Sequence, residues 1–130
     1  MFWNRFLLPS IIFLGAVSFL HWVAIEQGYY YTTNWYDFMM HFLGGFAIAL
    51  LSLWIVNLPG MARFGRFVTP QNLFILAFSV GVAWEIYEIA FGLTSFQDKN
   101  YMWDTAHDLI MDSLGAYLAI FLSKKHIKIP

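Results

Sequence analysis

The chain has 130 residues, of which 60% are hydrophobic, 21% aromatic and only 12% charged, and its mean hydropathy is +0.61. Soluble globular domains carry about 25% charged residues, so this composition predicts an integral membrane protein. The net charge of −1 comes without any basic patch, which excludes nucleic acid as a partner, and the lack of cysteine excludes disulfides and thiolate metal sites. The length suits a single integral membrane domain over residues 1–130.

Four apolar segments are long enough to cross a bilayer, which predicts an all-α fold, a bundle of four transmembrane helices. The predicted spans cover about residues 6–25, 37–56, 73–91 and 104–122. A cleaved signal peptide is the alternative for the first segment, but the apolar run is long for a signal core and lacks a clear cleavage site. The tyrosine-rich segment 26–36 is typical of an aromatic belt at the membrane interface.

Helix ends and close contacts can also be predicted from the sequence. Thr69 followed by Pro70 indicates the start of the third span, and Gly92 is expected to close it. Small residues within spans allow helix backbones to approach closely, so Gly44, Gly45 and Gly115 are predicted at helix contacts. Simple packing is the favoured interpretation of these glycines.

The basic residues predict the orientation of the four spans. Six of the seven lysines and arginines fall on one side, namely Arg5, Arg63, Arg66, Lys124, Lys125 and Lys128. The positive-inside rule makes that side cytoplasmic and places both termini there, in a bacterial or archaeal cytoplasmic membrane. All eight aspartates and glutamates then fall in the outer half, where Lys99 is the only other charged residue.

Acidic and histidine side chains from several spans are therefore expected to meet at one level. Asp104, Asp108 and Asp112 recur every four residues, and each step turns only ~40° around a helix. Carboxylates are costly at membrane depth unless they are matched. The predicted site consists of His41, Glu85, Glu88, Asp108 and Asp112, with Asp37, Asp104, His107 and His21 as possible further ligands. Asp37 and Asp104 have an alternative role, since acids are also favoured at helix N-termini.

Three arrangements can compensate such a cluster: a bound cation, shared protons, or exposure to water as a solvated rim. Carboxylates with one or more imidazoles suit Mg²⁺, Ca²⁺ or Mn²⁺, and also Zn²⁺ or Fe²⁺ where histidine is a ligand. The spacing alone is only moderately specific, and the chain has no HExxH, GxSxG or P-loop motif.

Three blocks of the sequence, DFMMHFLGGFAIALL, WEIYE and DTAHDLIMDSLGAYLA, resemble the VanZ-like group of small integral membrane proteins, closest to its YjdF-type branch. The resemblance covers about residues 35–119. It implies a shared polar site formed by Asp37, His41, Glu85, Glu88, Asp104, Asp108, Asp112 and Gly115. The arginine that precedes the last block in many VanZ-like proteins is not apparent here.

Two classes of function fit these observations. The preferred class binds a lipid headgroup, a cation or protons at a site facing the outer side. The alternative is a metal-dependent membrane hydrolase acting on a lipid or cell-envelope headgroup. Binding is preferred because no activated nucleophile or oxyanion arrangement is visible in the sequence. A membrane lipid is the expected partner, and the sequence leaves a protein partner or a homo-oligomer open.

Overall fold

The computed structural model describes residues 4–67, 69–95, 97 and 99–126. Within these residues the secondary structure is entirely helical: α1 (Leu7–Gln27), α2 (Tyr29–Thr32), α3 (Asn34–Val56), α4 (Pro70–Ala90) and α5 (Tyr101–Ser123), with 3-10 segments at Pro59–Phe67 and Lys124–His126. Two of the charged residues counted above, Asp98 and Lys128, lie outside the described residues, and so do the side chains of Arg66 and His126.

Three helices, α1, α3 and α4, are long and apolar enough to cross a membrane by length and composition. They correspond to the first three predicted spans. Helix α5 is as long as α3, at 23 residues, but it carries three aspartates. The all-helical class is confirmed, whereas the fourth crossing and the cytoplasmic position of both termini stay predictions.

Helices α3 and α5 form the largest contact of the bundle and run in the same direction, since Asp108 lies beside Asp37 while the later Ile120 belongs to the same core cluster as the later Leu53. A Cβ atom at Gly45 would overlap the backbone carbonyl of Asp112, and one at Gly115 would overlap the backbone carbonyl of Phe42. Only glycine permits this approach, so the prediction of close backbone contact is confirmed at these two positions. Gly44 is different, because a Cβ there would have room.

The remaining helices pack around this central pair. Helix α1 runs antiparallel to α3, because Asn4 Nδ2 donates to the Trp54 carbonyl (3.1 Å) and the Tyr36 hydroxyl donates to the Leu20 carbonyl (3.0 Å). Helix α4 packs on α5 and α3, while α1 and α4 barely contact one another among the described residues. The main apolar core lies toward the Phe6 end of α1 and contains Leu53, Ala116 and Ile120.

The helices extend a few residues beyond the predicted spans, mainly at their N-terminal ends. Thr69 caps α4 by accepting from the Asn72 amide at 3.2 Å, with Pro70 in the first turn, as predicted. Gly92 adopts φ 70°, and the following amide of Leu93 donates to the Glu88 carbonyl at 2.8 Å, which closes the helix end. The tyrosine-rich segment differs from a plain loop, because Tyr29–Thr32 forms a short helix after Gly28, which adopts φ 69°.

The orientation can be tested with single cysteines in a chain that has none of its own. Lys99 is exposed, and a Cβ at Gly60 would meet nothing within 4 Å, so both positions accept the change. In intact cells a membrane-impermeant maleimide should label Lys99→Cys and should label Gly60→Cys only after permeabilisation. The reverse pattern would place the acidic end of the bundle in the cytoplasm.

Candidate functional site

His41 on α3 lies at the centre of the polar cluster and is only 5% exposed. Its Nδ1 lies 3.2 Å from Asp112 Oδ2, a hydrogen bond in which the ring N–H donates to the carboxylate. This contact fixes the ring so that Nε2 faces the opposite direction, toward Asp37 and Asp108. One imidazole therefore connects acids on both sides of its ring.

Two carboxylates approach His41 Nε2 without reaching hydrogen-bond distance. Asp37 Oδ1 lies 3.7 Å away, one turn earlier on α3, and Asp108 Oδ1 lies 3.9 Å away on α5. Both distances exceed those of N–H···O hydrogen bonds, about 2.7–3.2 Å. The spacing fits groups that can share a central ion: the ligand atoms of Asp37, His41 and Asp108 lie within 4.8 Å of one another.

Helix α4 contributes two glutamates to the same histidine. A second set of ligand atoms within 4.8 Å of one another comes from His41, Glu85 and Glu88. Glu85 is 5% exposed, and its Oε2 accepts a hydrogen bond from the Thr105 hydroxyl at 2.7 Å. Glu88 is less buried and accepts from Trp84 Nε1 at 2.9 Å. Four carboxylates from three helices thus lie around one imidazole ring.

Three atoms of this cluster are buried and lack a hydrogen-bond partner among the described residues: His41 Nε2, Glu85 Oε1 and Asp108 Oδ1. The side chains of His41 and Asp108 are only 4% and 3% exposed. An unsatisfied buried polar group costs about 1–3 kcal/mol, and more when it is charged. Coordination of such atoms by a bound cation would remove that cost.

Asp112 occupies a different place from the other acids, because it contacts the Nδ1 side of His41 and belongs to neither group of ligand atoms. Its carboxylate lies against Gly81, where any Cβ would overlap Asp112 Oδ2. The glycines on α3 and α4 therefore make the space in which Asp112 reaches the histidine. The chemical role this suits is to orient the ring and to keep its Nε2 lone pair available.

A cavity of about 160 Å³ adjoins the cluster between α1 and α4, and we call it the lateral cavity. Asp37, His41 and Asp112 line its polar end, together with His21, Tyr30 and Trp84. Its walls are apolar and include Leu14 and Val17 of α1, Ala47 and Ile48 of α3, and Ala77 and Val80 of α4.

His21 and Tyr30 close the polar end of the lateral cavity. His21 Nδ1 and the Tyr30 hydroxyl are hydrogen-bonded at 2.7 Å, and the His21 ring meets the Trp84 ring edge-on, with centroids 5.4 Å apart. Burial, aided by the negative charge of Asp37, raises the pKa of the Tyr30 hydroxyl, which therefore keeps its proton at neutral pH. His21 thus lies beside the cavity and outside both groups of ligand atoms.

Two of the possible further ligands lie on the exposed side of α5. Asp104 is exposed in the first turn, where the helix dipole favours a carboxylate. His107 is also exposed, and its Nδ1 donates to the Trp103 carbonyl at 2.6 Å. The structure thus brings Asp37 to the cluster and leaves Asp104 and His107 away from it.

Several residues that position the acidic side chains of the site were not among those predicted from the sequence. Thr105 lies within the sequence block that contains Asp104 and Asp108. Its hydrogen bond to Glu85 could not be predicted, because that pairing depends on how α4 and α5 face each other. No sequence pattern marks Gly81, although Asp112 depends on it for space. Trp84 precedes Glu88 by one helical turn, so the i,i+4 rule was a usable signal for that hydrogen bond.

The helical bundle and this cluster define an α-helical membrane protein with a buried acid–histidine site. The chain belongs to the family DUF2238, described as a predicted membrane protein, whose profile matches residues 1–128. Comparison with curated proteins and with solved structures gave no match.

Proposed function

We propose that this membrane protein binds a divalent cation between α3, α4 and α5. His41 is the central ligand, because both groups of candidate ligand atoms share it: Asp37 and Asp108 belong to one group, and Glu85 and Glu88 belong to the other. The observation that carries the proposal is that residues of both groups hold three buried polar atoms without hydrogen-bond partners among the described residues. Their distribution over three helices means that a bound ion would also tie these helices together.

The ligand chemistry narrows the choice of ion. Carboxylate oxygens alone would suit Mg²⁺ or Ca²⁺, but these hard cations rarely take an imidazole. A set of several carboxylates with one histidine fits Mn²⁺, Fe²⁺ or Zn²⁺ best. Within the proposed four-span topology Lys99 is the only lysine or arginine in the outer half, so the cation is also the natural source of neutralising charge.

Metal analysis of purified protein tests the proposal. After incubation with excess Mn²⁺, Fe²⁺ or Zn²⁺ and removal of free ion, we expect about one ion per chain in the unmodified protein. Asp108→Asn and Glu85→Gln should each lose it, because each removes a buried ligand. Ligand present at 100 times its Kd adds about 2.7 kcal/mol to stability, so chelator should lower the melting temperature of the unmodified protein but not of these two variants.

Glu26→Gln is the matched control, since Glu26 is an exposed acid on α1 outside the cluster and should retain the ion. The competing interpretation is a cluster neutralised by shared protons. It predicts no stoichiometric metal, melting that ignores chelator, and an Asp108→Asn variant that is as stable as the unmodified protein or more so. That combination would contradict cation binding.

A metal-dependent hydrolase acting on a lipid or cell-envelope headgroup remains the second candidate, because a cation held by one imidazole and carboxylates can polarise a phosphoryl oxygen or activate water. The open side of the lateral cavity favours it, since a lipid can reach His41 from there. Metal-dependent release of phosphate or of a headgroup alcohol from phospholipid vesicles would support this candidate over binding alone.

The proposed function also includes the four-span topology with the site facing the outer side. It includes as well a kinship with the YjdF-type branch of the VanZ-like group.

A further inference from the structure

We propose that the lateral cavity holds one acyl chain of a membrane phospholipid whose phosphate lies at the cation site. This inference rests on the proposed function, because it uses the bound cation as the partner of the phosphate. It adds a class of ligand, a double-chain phosphate ester from the surrounding bilayer, and a route by which that ligand reaches the site.

The position of the cavity between α1 and α4 provides the route. Both helices are apolar enough to cross a membrane, and their backbones barely approach one another among the described residues, while the His21 and Trp84 rings meet at the polar end. The gap between them therefore faces the hydrocarbon region, where acyl chains are the available molecules. The side chains on either side of the gap, such as Val17 and Val80, are apolar and suit such a chain.

The size and polarity of the cavity fit an aliphatic occupant. Its volume is about 160 Å³. An apolar cavity of about 150 Å³ stays dry and binds small apolar molecules, because water finds too few polar partners there. Most of the lining is apolar, including Leu14, Ala47 and Ile48, and polar groups occur only at the end beside the cluster. Part of one acyl chain can fill this space, while the rest of the lipid stays in the bilayer.

The polar end of the cavity fits a phosphate only when a cation is present. Asp37 and His41 line the cavity and also belong to the ligand groups, so a headgroup at that end touches the cation site directly. Carboxylates repel phosphate, and all three arginines of the chain lie on the opposite side in the proposed topology. A divalent ion reduces the local negative charge, and phosphate oxygens are ligands that such ions accept. The hydrogen-bonded pair of His21 and Tyr30 lies at the same end and adds polar groups there.

A matched pair of valines on α4 tests the occupant. Val80 and Val82 are each 37% exposed, but only Val80 lines the cavity. Delipidated protein loaded with metal would be equilibrated with dioleoylphosphatidylglycerol in detergent, and the bound lipid would be counted by native mass spectrometry. We expect Val80→Trp to weaken lipid binding about 10-fold or more by filling the cavity, and Val82→Trp to bind as the unmodified protein does. Chelator should weaken binding to the unmodified protein, and dioleoylglycerol, which lacks phosphate, should bind more weakly.

The outcomes separate this inference from the proposed function. Equal lipid binding by Val80→Trp and Val82→Trp, with one metal ion per chain in both, would overturn the lipid site and leave the cation site in place. Lipid binding that falls in Val80→Trp but is indifferent to chelator and to the phosphate would overturn the placement of the phosphate on the cation. Absence of metal from the unmodified protein would remove the proposed function and this inference with it.

Discussion

Replacing Gly45 by leucine is expected to lower the stability of the protein by about 3 kcal/mol or more, because a side chain there would enter the backbone of α5 at Asp112. The neighbouring atoms are backbone, which cannot rotate away as a flexible side chain would. Gly115→Leu should act in the same way against the backbone of Phe42 on α3. For a chain of this size the loss corresponds to a fall in melting temperature of about 10 °C, measured in detergent.

Gly15→Leu serves as the control for this substitution. Gly15 is also a helical glycine within a candidate span, but it is exposed, and a Cβ there would meet nothing within 4 Å. Leucine is a better helix former than glycine, so the control should melt at the same temperature or slightly higher. Equal melting of all three variants would mean that α3 and α5 do not cross at these glycines.

Asp112→Asn is expected to weaken metal binding by about 10–100-fold while the ion remains bound at saturation. Asp112 holds His41 through Nδ1 and does not belong to the ligand groups, so the substitution leaves the ligands in place. An amide oxygen still accepts the hydrogen bond from Nδ1, but it carries no charge and makes the imidazole a weaker ligand. Competition with a chelator of known affinity measures the dissociation constant and the stoichiometry separately.

Asp104→Asn is the matched control on the same helix, because Asp104 is exposed and lies outside the ligand groups. Its dissociation constant should equal that of the unmodified protein. If Asp112→Asn bound metal as tightly as Asp104→Asn, Asp112 would have no part in orienting His41. If Asp112→Asn instead lost the ion entirely while remaining folded, Asp112 would be a ligand itself.

The position of the acidic residues shows what helical spacing can predict and what it leaves open. Asp104, Asp108 and Asp112 were expected to share one edge of a helix, yet Asp108 and Asp112 are buried and Asp104 is exposed. Each four-residue step moves ~6 Å along the helix and turns ~40°, so Asp104, two steps from Asp112, lies outside the contact with the other helices. The sequence predicts this gradual rotation, but it does not predict which part of α5 is packed against the other helices.

The sequence by itself determined the membrane class, the helical fold and the residue types of the site. Composition decided the first, since 12% charged residues cannot cover a soluble surface. The length of the apolar runs predicted the positions of the helices. The capping side chain of Thr69 and the positive φ of Gly92 define the two ends of α4. These features depend on neighbours in the chain, which is why they can be predicted without knowledge of the tertiary structure.

Only the tertiary structure decided how the acids divide around His41. The close crossing at Gly45 and Gly115 sets the rotation of α5 against α3, and that rotation directs Asp112 to Nδ1 and Asp108 toward Nε2. Periodicity defines the faces of a single helix, but the mutual rotation and depth of two helices depend on contacts between residues about 70 positions apart, such as His41 and Asp112. The division of the acids between the two sides of the His41 ring arises from those contacts.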